Sequence, residues 1–496
     1  MSTAEPQAIR FLLDGHTVSA SGLPARLTLL QDLREEAGRT GTKEGCAEGD
    51  CGACTVVLGR LDGERVSYRA VNACIRLLAP IDGHELVTVE SLQDQDCLHP
   101  VQQAMVDQHA SQCGFCTPGF VMSLFALYLQ SSTPAREQVI EALAGNLCRC
   151  TGYRPIVEAG CRMSEYPTPR KWHREASSSP QRVAALRQLQ RSMPLRLPGF
   201  QAPRTLDELA AALEQWPDAL LLAGGTDVGL WITKQLREPR RIVYLGEVQE
   251  LRALHRDAHA FTIGAAVALT DAWAALVEEW PVLAEFAQRF GSPPVRNSAT
   301  LGGNVANGSP IGDTMPVLIA LGAQVQLRRG HTLRCLPLEE LYVGYQQQAR
   351  APGEFVTALI VPRARPDQRL AAYKLSKRFE QDISSVSLGI CVRLDGERVL
   401  EARIAYGGMA AVPARARPAE AALRRDGWCP EGIEAAARAV QQQFQPLTDH
   451  RASGAYRSLA AANLLRRFYE EPSGGQRCGV FGDQIAALAA PASAPI

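Results

Sequence analysis

Eight of the chain's 14 cysteines fall into two compact sets of four, each spaced as the ligands of an iron–sulfur cluster are. The first set is Cys46, Cys51, Cys54 and Cys74, in GCAEGDCGACTV followed by VNACI. Its C-x4-C-x2-C…C order is the plant-type spacing for a [2Fe–2S] cluster. A cluster of net negative charge needs a short enclosing loop rich in backbone N–H donors, and Gly45, Gly49 and Gly52 let the backbone wrap that tightly. Zinc sites pair two knuckles, which this asymmetric spacing does not match. Disulfides need an oxidising compartment, and the opening MSTAEPQAIR carries no secretion signal. Two redox centres before residue 151 imply a chain that moves electrons.

The second set is Cys113 and Cys116 in QCGFCTPG with Cys148 and Cys150 in NLCRCTGY. Thr117 reads as an N-cap with Pro118 at the first helical position, followed by the apolar run Gly119–Leu129. Pro100–His109 reads as a helix with Val101, Ala104, Met105 and Gln108 on one face. Thr133–Pro134 starts another helix that Gly145 can end, and a short helical segment around Ile156 and Val157 follows Cys150 and Thr151. Both cysteine pairs therefore sit at helix ends in a four-helix arrangement. Taken alone, CxxC…CxC suits zinc or iron equally, and the neighbouring plant-type set tilts the choice to iron. Cys97, Cys161, Cys335, Cys391, Cys429 and Cys478 are isolated and read as buried or inert thiols. The nine histidines show no HExxH or triad grouping, so no residue is assigned a catalytic role, and His99 and His109 read as structural.

Lys+Arg and Asp+Glu balance at 52 each, which points to neither nucleic acid nor an anionic membrane. The longest apolar stretches fall far short of the ~20 residues a bilayer span needs, and because MSTAEPQAIR lacks a charged-then-apolar signal a cytoplasmic chain is expected. Near the N-terminus a strand over 8–13, the Asp14–Gly15 turn, a second strand, a helix near 28–37 and an Asp62–Gly63 hairpin are expected. The boundaries read as 1–90 for the plant-type domain, 91–163 for the helical domain and 164–193 for a polar linker. A mixed region of helices and β-type runs over 194–475 and an Ala/Pro-rich tail over 476–496 follow.

Beyond the linker, helices such as Leu206–Gln215 alternate with β-type runs such as Arg241–Leu245. Two glycine-rich segments, LLAGGTDVG (Leu221–Gly229) and ATLGGNVANGSPIGD (Ala299–Asp313), stand out. Glycines let backbone N–H groups approach a pyrophosphate, while Thr, Asn and Ser supply further hydrogen bonds. Neither segment is GxGxxG or a Walker loop. One-electron centres need a partner that exchanges hydride pairs, so two such segments behind two iron–sulfur clusters are better evidence of a cofactor loop than either is singly.

The stretches KEGCAEGDCGACTV, QCGFCTPGF and GNLCRCTGYRPI resemble the paired [2Fe–2S] domains of the molybdenum hydroxylases, the xanthine dehydrogenase and aldehyde oxidase family. The resemblance implies an α+β multidomain fold. Its parts are a β-grasp ferredoxin-like domain, a four-helix [2Fe–2S] domain, a vanillyl-alcohol-oxidase-type FAD-binding domain over 194–372 and a CO-dehydrogenase-flavoprotein-like C-terminal domain over 373–475. It implies two [2Fe–2S] clusters and FAD. By carry-over, Leu222, Ala223, Gly224, Gly225, Thr226, Asp227 and Val228 would wrap the FAD diphosphate and Phe290 would pack on the flavin. Thr300, Gly303, Asn304, Asn307 and Asp313 would line the isoalloxazine–ribityl path, with Val356 and Lys374 as later contacts. Asn307 departs from the threonine common in the animal enzymes. Lys377–Asp382 resembles the mobile charged loop that biases the family between NAD and oxygen.

The resemblance further implies a separate large subunit with a molybdenum–pterin centre, two small and two large subunits, and NAD+ as the acceptor. The chemistry implied is oxidation of hypoxanthine and xanthine to urate. A partner acting on aldehydes or other N-heterocycles, and a stand-alone iron–sulfur flavoprotein reductase, are the alternatives.

Overall fold

The computed structural model describes residues 7–95 and 97–471. The tail expected over 476–496, with Cys478, and the last residues of the expected 373–475 domain lie outside them. The described residues form two compact units. One runs to Gln249 and includes Ser292–Ala299; the other comprises Glu250–Gly291 and the chain from Thr300 onward. The expected flavin-type segment 194–372 contributes to both.

In the first unit, β1 (Ile9–Leu13) and β2 (His16–Ala20) are joined by Asp14 and Gly15, both at positive φ, the two-residue turn whose twist matches an antiparallel hairpin. β3 (Thr55–Asp62), β4 (Arg65–Asn72) and β5 (Glu85–Val87) complete a sheet in the order β2-β1-β5-β3-β4, with only the β1–β5 pair parallel. The helix expected near 28–37 is α1 (Leu29–Gln31), capped by Thr28, continuing as a π-helical turn over Asp32–Glu36. Leu29, Leu30 and Leu33 bury against Ile9, Phe11, Val56 and Leu58, so one helix grips the sheet as the β-grasp expectation requires.

Four helices follow: α2 (Pro100–Asp107), α3 (Thr117–Gln130), α4 (Arg136–Leu143) and α5 (Arg154–Arg162). α3 is apolar nearly all round and is correspondingly buried, with Phe120, Leu124 and Phe125 fully inside at about 2 kcal/mol each. Two expected helix starts move. Thr117 is inside α3 rather than its cap, because its hydroxyl is engaged with Ser111 at 2.7 Å and Cys116 takes the cap position. α4 starts two residues after Thr133–Pro134, pinned where the Gln138 side chain accepts from Ala135 N at 2.8 Å.

The segment expected to be a polar linker is not one throughout. It carries α6 (Pro180–Leu189), whose Val183, Leu186 and Leu189 are buried in the same core as the four helices, together with Trp172. The segment is polar and carries Pro167, Pro169, Pro180 and the run Ser177–Ser179, yet apolar side chains three residues apart give it one face to bury. The unit ends with β6 (Leu195–Leu197), β7 (Phe200–Ala202), α7 (Leu206–Gln215), β8 (Leu220–Leu222), α8 (Val228–Thr233) and β9 (Ile242–Tyr244). β7, β9 and β8 run parallel.

The second unit holds a sheet of β10 (Leu254–Arg256), β11 (Ala260–Gly264), β12 (Gln324–Arg329), β13 (Thr332–Pro337) and β16 (Phe355–Pro362), ordered β10-β11-β16-β12-β13. β14 (Tyr342–Gly344) and β15 (Gln347–Gln348) form a separate small ladder. α9 (Leu269–Glu279), α10 (Ala284–Gln288), α12 (Leu301–Asn307) and α13 (Thr314–Ala320) belong to this unit, whereas α11 (Pro293–Ser298) belongs to the first. A second antiparallel sheet of β17 (Gln368–Leu375), β18 (Val386–Asp395), β19 (Arg398–Gly407) and β20 (Ala414–Arg415) packs against α14 (Arg417–Asp426), α15 (Pro430–Gln443) and α16 (Gly454–Glu470). Leu388, Ile390 and Val392 alternate along β18 and supply that core, as a period of two dictates. Among the described residues no helix is long and apolar enough to cross a membrane.

Candidate redox and flavin sites

The first cysteine set lies on the loop before β3 and at the end of β4. Cys46 Sγ is within hydrogen-bonding reach of Cys51 and Cys74, and Cys74 of Cys54. Backbone N–H groups of Glu48 and Cys51 also donate to Cys46 Sγ, each at 3.4 Å, as the sequence led one to expect. The thiol hydrogen bonds from Cys51 and Cys74 hold the Cys46 thiol far below its usual range, while those two partners are pushed up.

The second set sits at the α3 N-terminus and on the loop before α5. Cys113 and Cys150 approach to 3.6 Å between sulfurs, and Cys116 pairs with Cys148. Thr151 donates to Cys148 Sγ through both N (3.4 Å) and Oγ1 (3.2 Å). Among the described residues, no three such side chains gather closely enough for a single ion. Two pairs of thiols supply the four sulfurs that a two-iron cluster takes.

The two loops meet directly. Leu147 N donates to Cys51 O at 3.0 Å, and Asn146 Nδ2 donates to Gly52 O and to Thr55 Oγ1, each at 3.3 Å. A Cβ on Gly52 would lie 2.0 Å from Asn146 Nδ2 and 2.2 Å from Gly145 O, and Gly52 also holds φ +70°. Only glycine allows this approach. Asn146 was not singled out from the sequence, although its place two residues before Cys148 was the available signal.

The first glycine-rich segment is the loop between β8 and α8, within the first unit. Leu222 is buried at the strand end, Ala223 through Asp227 are half-buried, and Val228 opens α8. At Gly224 a Cβ would meet Ser298 O at 2.1 Å, so the loop lies backbone-to-backbone on α11. Burial raises the Asp227 carboxyl above its usual range. α8 rests on the first cysteine loop: a Cβ on Gly229 would meet Ile75 O at 2.5 Å, and Thr233 Oγ1 donates to Ala47 O at 2.7 Å.

The remaining flavin candidates lie in the second unit. Thr300 caps α12 by accepting from Gly303 N at 3.0 Å, and Asn307 is exposed at its end. Phe290 is half-buried beside Trp273, with ring centroids 5.8 Å apart. Val356 is buried in β16 opposite Leu327. Lys374 is buried, not a solvated surface lysine: Nζ donates to Asp313 Oδ2 (2.5 Å), Asp382 O (2.6 Å) and Ser384 Oγ (3.0 Å). It thereby fastens the Lys377–Asp382 loop to Asp313. Asn304 Oδ1, Asp313 Oδ1 and Thr314 Oγ1 are buried without a hydrogen-bond partner, which suits a ligand bearing O–H and N–H groups, as a flavin does.

Of the isolated cysteines, Cys391 is buried as expected, whereas Cys97 and Cys335 are exposed. His99 is structural as expected: it is buried, caps α2, and its ring bonds Trp172 O at 3.2 Å and Val101 N at 3.2 Å.

Comparison with known proteins agrees with this geometry. Family descriptions match residues 11–78 ("2Fe-2S iron-sulfur cluster binding domain"), 88–161 ("[2Fe-2S] binding domain"), 195–364 ("FAD binding domain in molybdopterin dehydrogenase") and 371–472 ("CO dehydrogenase flavoprotein C-terminal domain"). The chain is 32% identical to xanthine dehydrogenase of Emericella nidulans over 93% of its own length, and 31% identical to xanthine dehydrogenase 1 of Arabidopsis thaliana over 88%. It spans 38% and 37% of those relatives. Among solved structures, a chain of carbon monoxide dehydrogenase from Hydrogenophaga pseudoflava is similar over 54% of this chain and 94% of its own, at 28% identity and a TM-score of 0.51. Fold and domains thus define an iron–sulfur flavoprotein with two [2Fe–2S] clusters and FAD as its cofactors. The chain is the electron-transfer iron–sulfur/FAD part of the molybdenum hydroxylase family, homologous to the corresponding region of the xanthine dehydrogenases.

Proposed function

We propose that the chain is the small subunit of a cytoplasmic, NAD-dependent xanthine dehydrogenase, working with a molybdopterin-binding large subunit, two of each per assembly. Cys46, Cys51, Cys54 and Cys74 hold one [2Fe–2S] cluster, and Cys113, Cys116, Cys148 and Cys150 hold the other. When bound, the clusters carry single electrons and FAD collects pairs for hydride transfer to NAD+, the electrons coming from hypoxanthine or xanthine as the partner's molybdenum centre yields urate.

The chain's own residues bind, orient and insulate. Residues 222–228 offer backbone N–H groups to the FAD diphosphate. Phe290 packs on the flavin ring, and Thr300, Gly303, Asn304, Asn307 and Asp313 supply polar contacts along it. Val356 adds an apolar contact, and Lys374 holds Asp313 in place. No side chain is needed as a general acid or base. The domains run as 1–90, 91–163, 194–372 and 373–475, joined by 164–193.

The observation that supports a partner best is the apolar surface of the second cysteine set. Phe115 is 47% exposed, Leu147 46% and Tyr153 40%, beside exposed Cys113 and Cys150. A stand-alone reductase has no use for such a surface around a redox centre. The test is native purification with metal analysis, then anaerobic mixing with xanthine while flavin and iron–sulfur absorbance are followed. Four irons per chain (two per cluster), stoichiometric molybdenum, a larger co-purifying chain and bleaching by xanthine are expected. Bleaching by an aldehyde alone would replace the substrate, and a preparation free of molybdenum would remove the partner.

A further inference from the structure

We propose that Asn146 is a positioning residue that sets the coupling between the two iron–sulfur sites, by holding the hydrogen bond from Leu147 N–H to Cys51 C=O. The inference rests on the assignment of Cys51 and Cys148 as cluster ligands. Leu147 is bonded directly to Cys148, so that 3.0 Å hydrogen bond is a short connection from one thiolate set to the other. An electron passing along it leaves one cluster oxidised by one electron and the other reduced by one. No proton moves and no bond is made or broken.

Asn146 is 4% exposed and has partners at both ends of its amide. Nδ2 donates to Gly52 O and Thr55 Oγ1, while Oδ1 accepts from Ser123 Oγ at 2.5 Å. Thr55 Oγ1 donates in turn to Gly52 O at 2.7 Å. With the Gly52 carbonyl, an acceptor only, facing one end of the amide, only the orientation that turns Nδ2 toward it meets every group. A buried network satisfied in this way has one geometry.

Three segments converge on that amide: the first cysteine loop, the start of α3 after Cys116, and the loop before Cys148. They pack without clearance, since a Cβ on Gly119 would lie 2.1 Å from Gly52 O. A junction this tight transmits any change in the amide to the gap between the loops.

The test uses the full chain with both clusters reduced by dithionite, read by low-temperature electron paramagnetic resonance. Asn146→Asp keeps the acceptor for Ser123 but turns a second carboxylate oxygen toward Gly52 O, pushing the loops apart. With iron content and the two separate cluster signals retained, loss of the spin–spin splitting between them is expected. Splitting of the parental width in an iron-replete variant overturns the proposal. Ser123→Ala, which removes only the hydroxyl that orients the amide, is measured beside it and should narrow the splitting partway. If Asn146→Asp fails to load iron, unchanged splitting in Ser123→Ala overturns the proposal instead. A parental chain without iron would sink the cluster assignment itself, a different and distinguishable failure.

Discussion

Lys374 is 5% exposed and shares its ammonium among a carboxylate, a carbonyl and a hydroxyl. Lys374→Met should leave Asp313 as an uncompensated buried charge and cost about 3–5 kcal/mol, seen as a lowered melting temperature with flavin lost before iron. Gly224→Ala should separate the cofactors more cleanly. Its Cβ meets the Ser298 carbonyl, so flavin absorbance should fall while iron per chain is unchanged. His99 makes a pH prediction, because burial pushes its imidazole from 6.5 down to about 4. Below pH 6.5 the unfolded chain takes a proton that the folded chain refuses until about pH 4. Stability therefore falls with acidification across that window, by up to about 3 kcal/mol from this group. Asp32 pulls the other way, its carboxyl being raised to about 6 chiefly by burial and further by Glu36. Urea titrations of His99→Gln should thus show stability holding or rising between pH 6.5 and 4, where the parent declines or stays flat. The cysteines were legible at this scale because ligands must recur at set spacings. Thr151 and Ser384 were not, since a hydrogen-bonding residue has no pattern of its own, and Asn146 had only its place two residues before Cys148 as a signal.

At the scale of elements, the segment 164–193 is the instructive case. Trp172 lies edge-on to Tyr68 (5.8 Å) and Phe125 (5.4 Å), with the Arg182 guanidinium 3.7 Å above its ring. Its indole N–H donates to Ser91 O at 3.0 Å, and Arg182 pairs with buried Glu85, which also accepts from Tyr68 O–H at 2.6 Å. The segment therefore clamps the β-grasp sheet and the four helices together. Trp172→Ala should cost about 3–5 kcal/mol, read as a lower melting temperature for iron release. Serines and prolines hid this from the composition, because a few apolar anchors do the holding. α7, by contrast, has the bounds expected, with Thr205 and Glu208 forming a capping box. Strong local signals locate an element; a buried tryptophan in a polar stretch declares itself only through its neighbours.

For the whole molecule, assembly with a partner is the property to test. Phe115→Ser and Leu147→Ser should abolish co-purification of a larger chain while the two-cluster spectrum survives. Retained co-purification would move the interface elsewhere. The cysteine spacing by itself determined the plant-type [2Fe–2S] set and marked a second set of four thiols, and turn, cap and periodicity signals located the helices around that second set, because ligation and local burial both act over short stretches of chain; the β-grasp fold was implied by the family resemblance. What the tertiary structure alone decided is how the cysteine loops touch, how 164–193 is pinned and which polar groups are buried. Those depend on residues far apart in the chain, as Arg182 is from Glu85 by 97 positions and Arg191 from Asp82 by 109, and sequence proximity carries no information about such meetings.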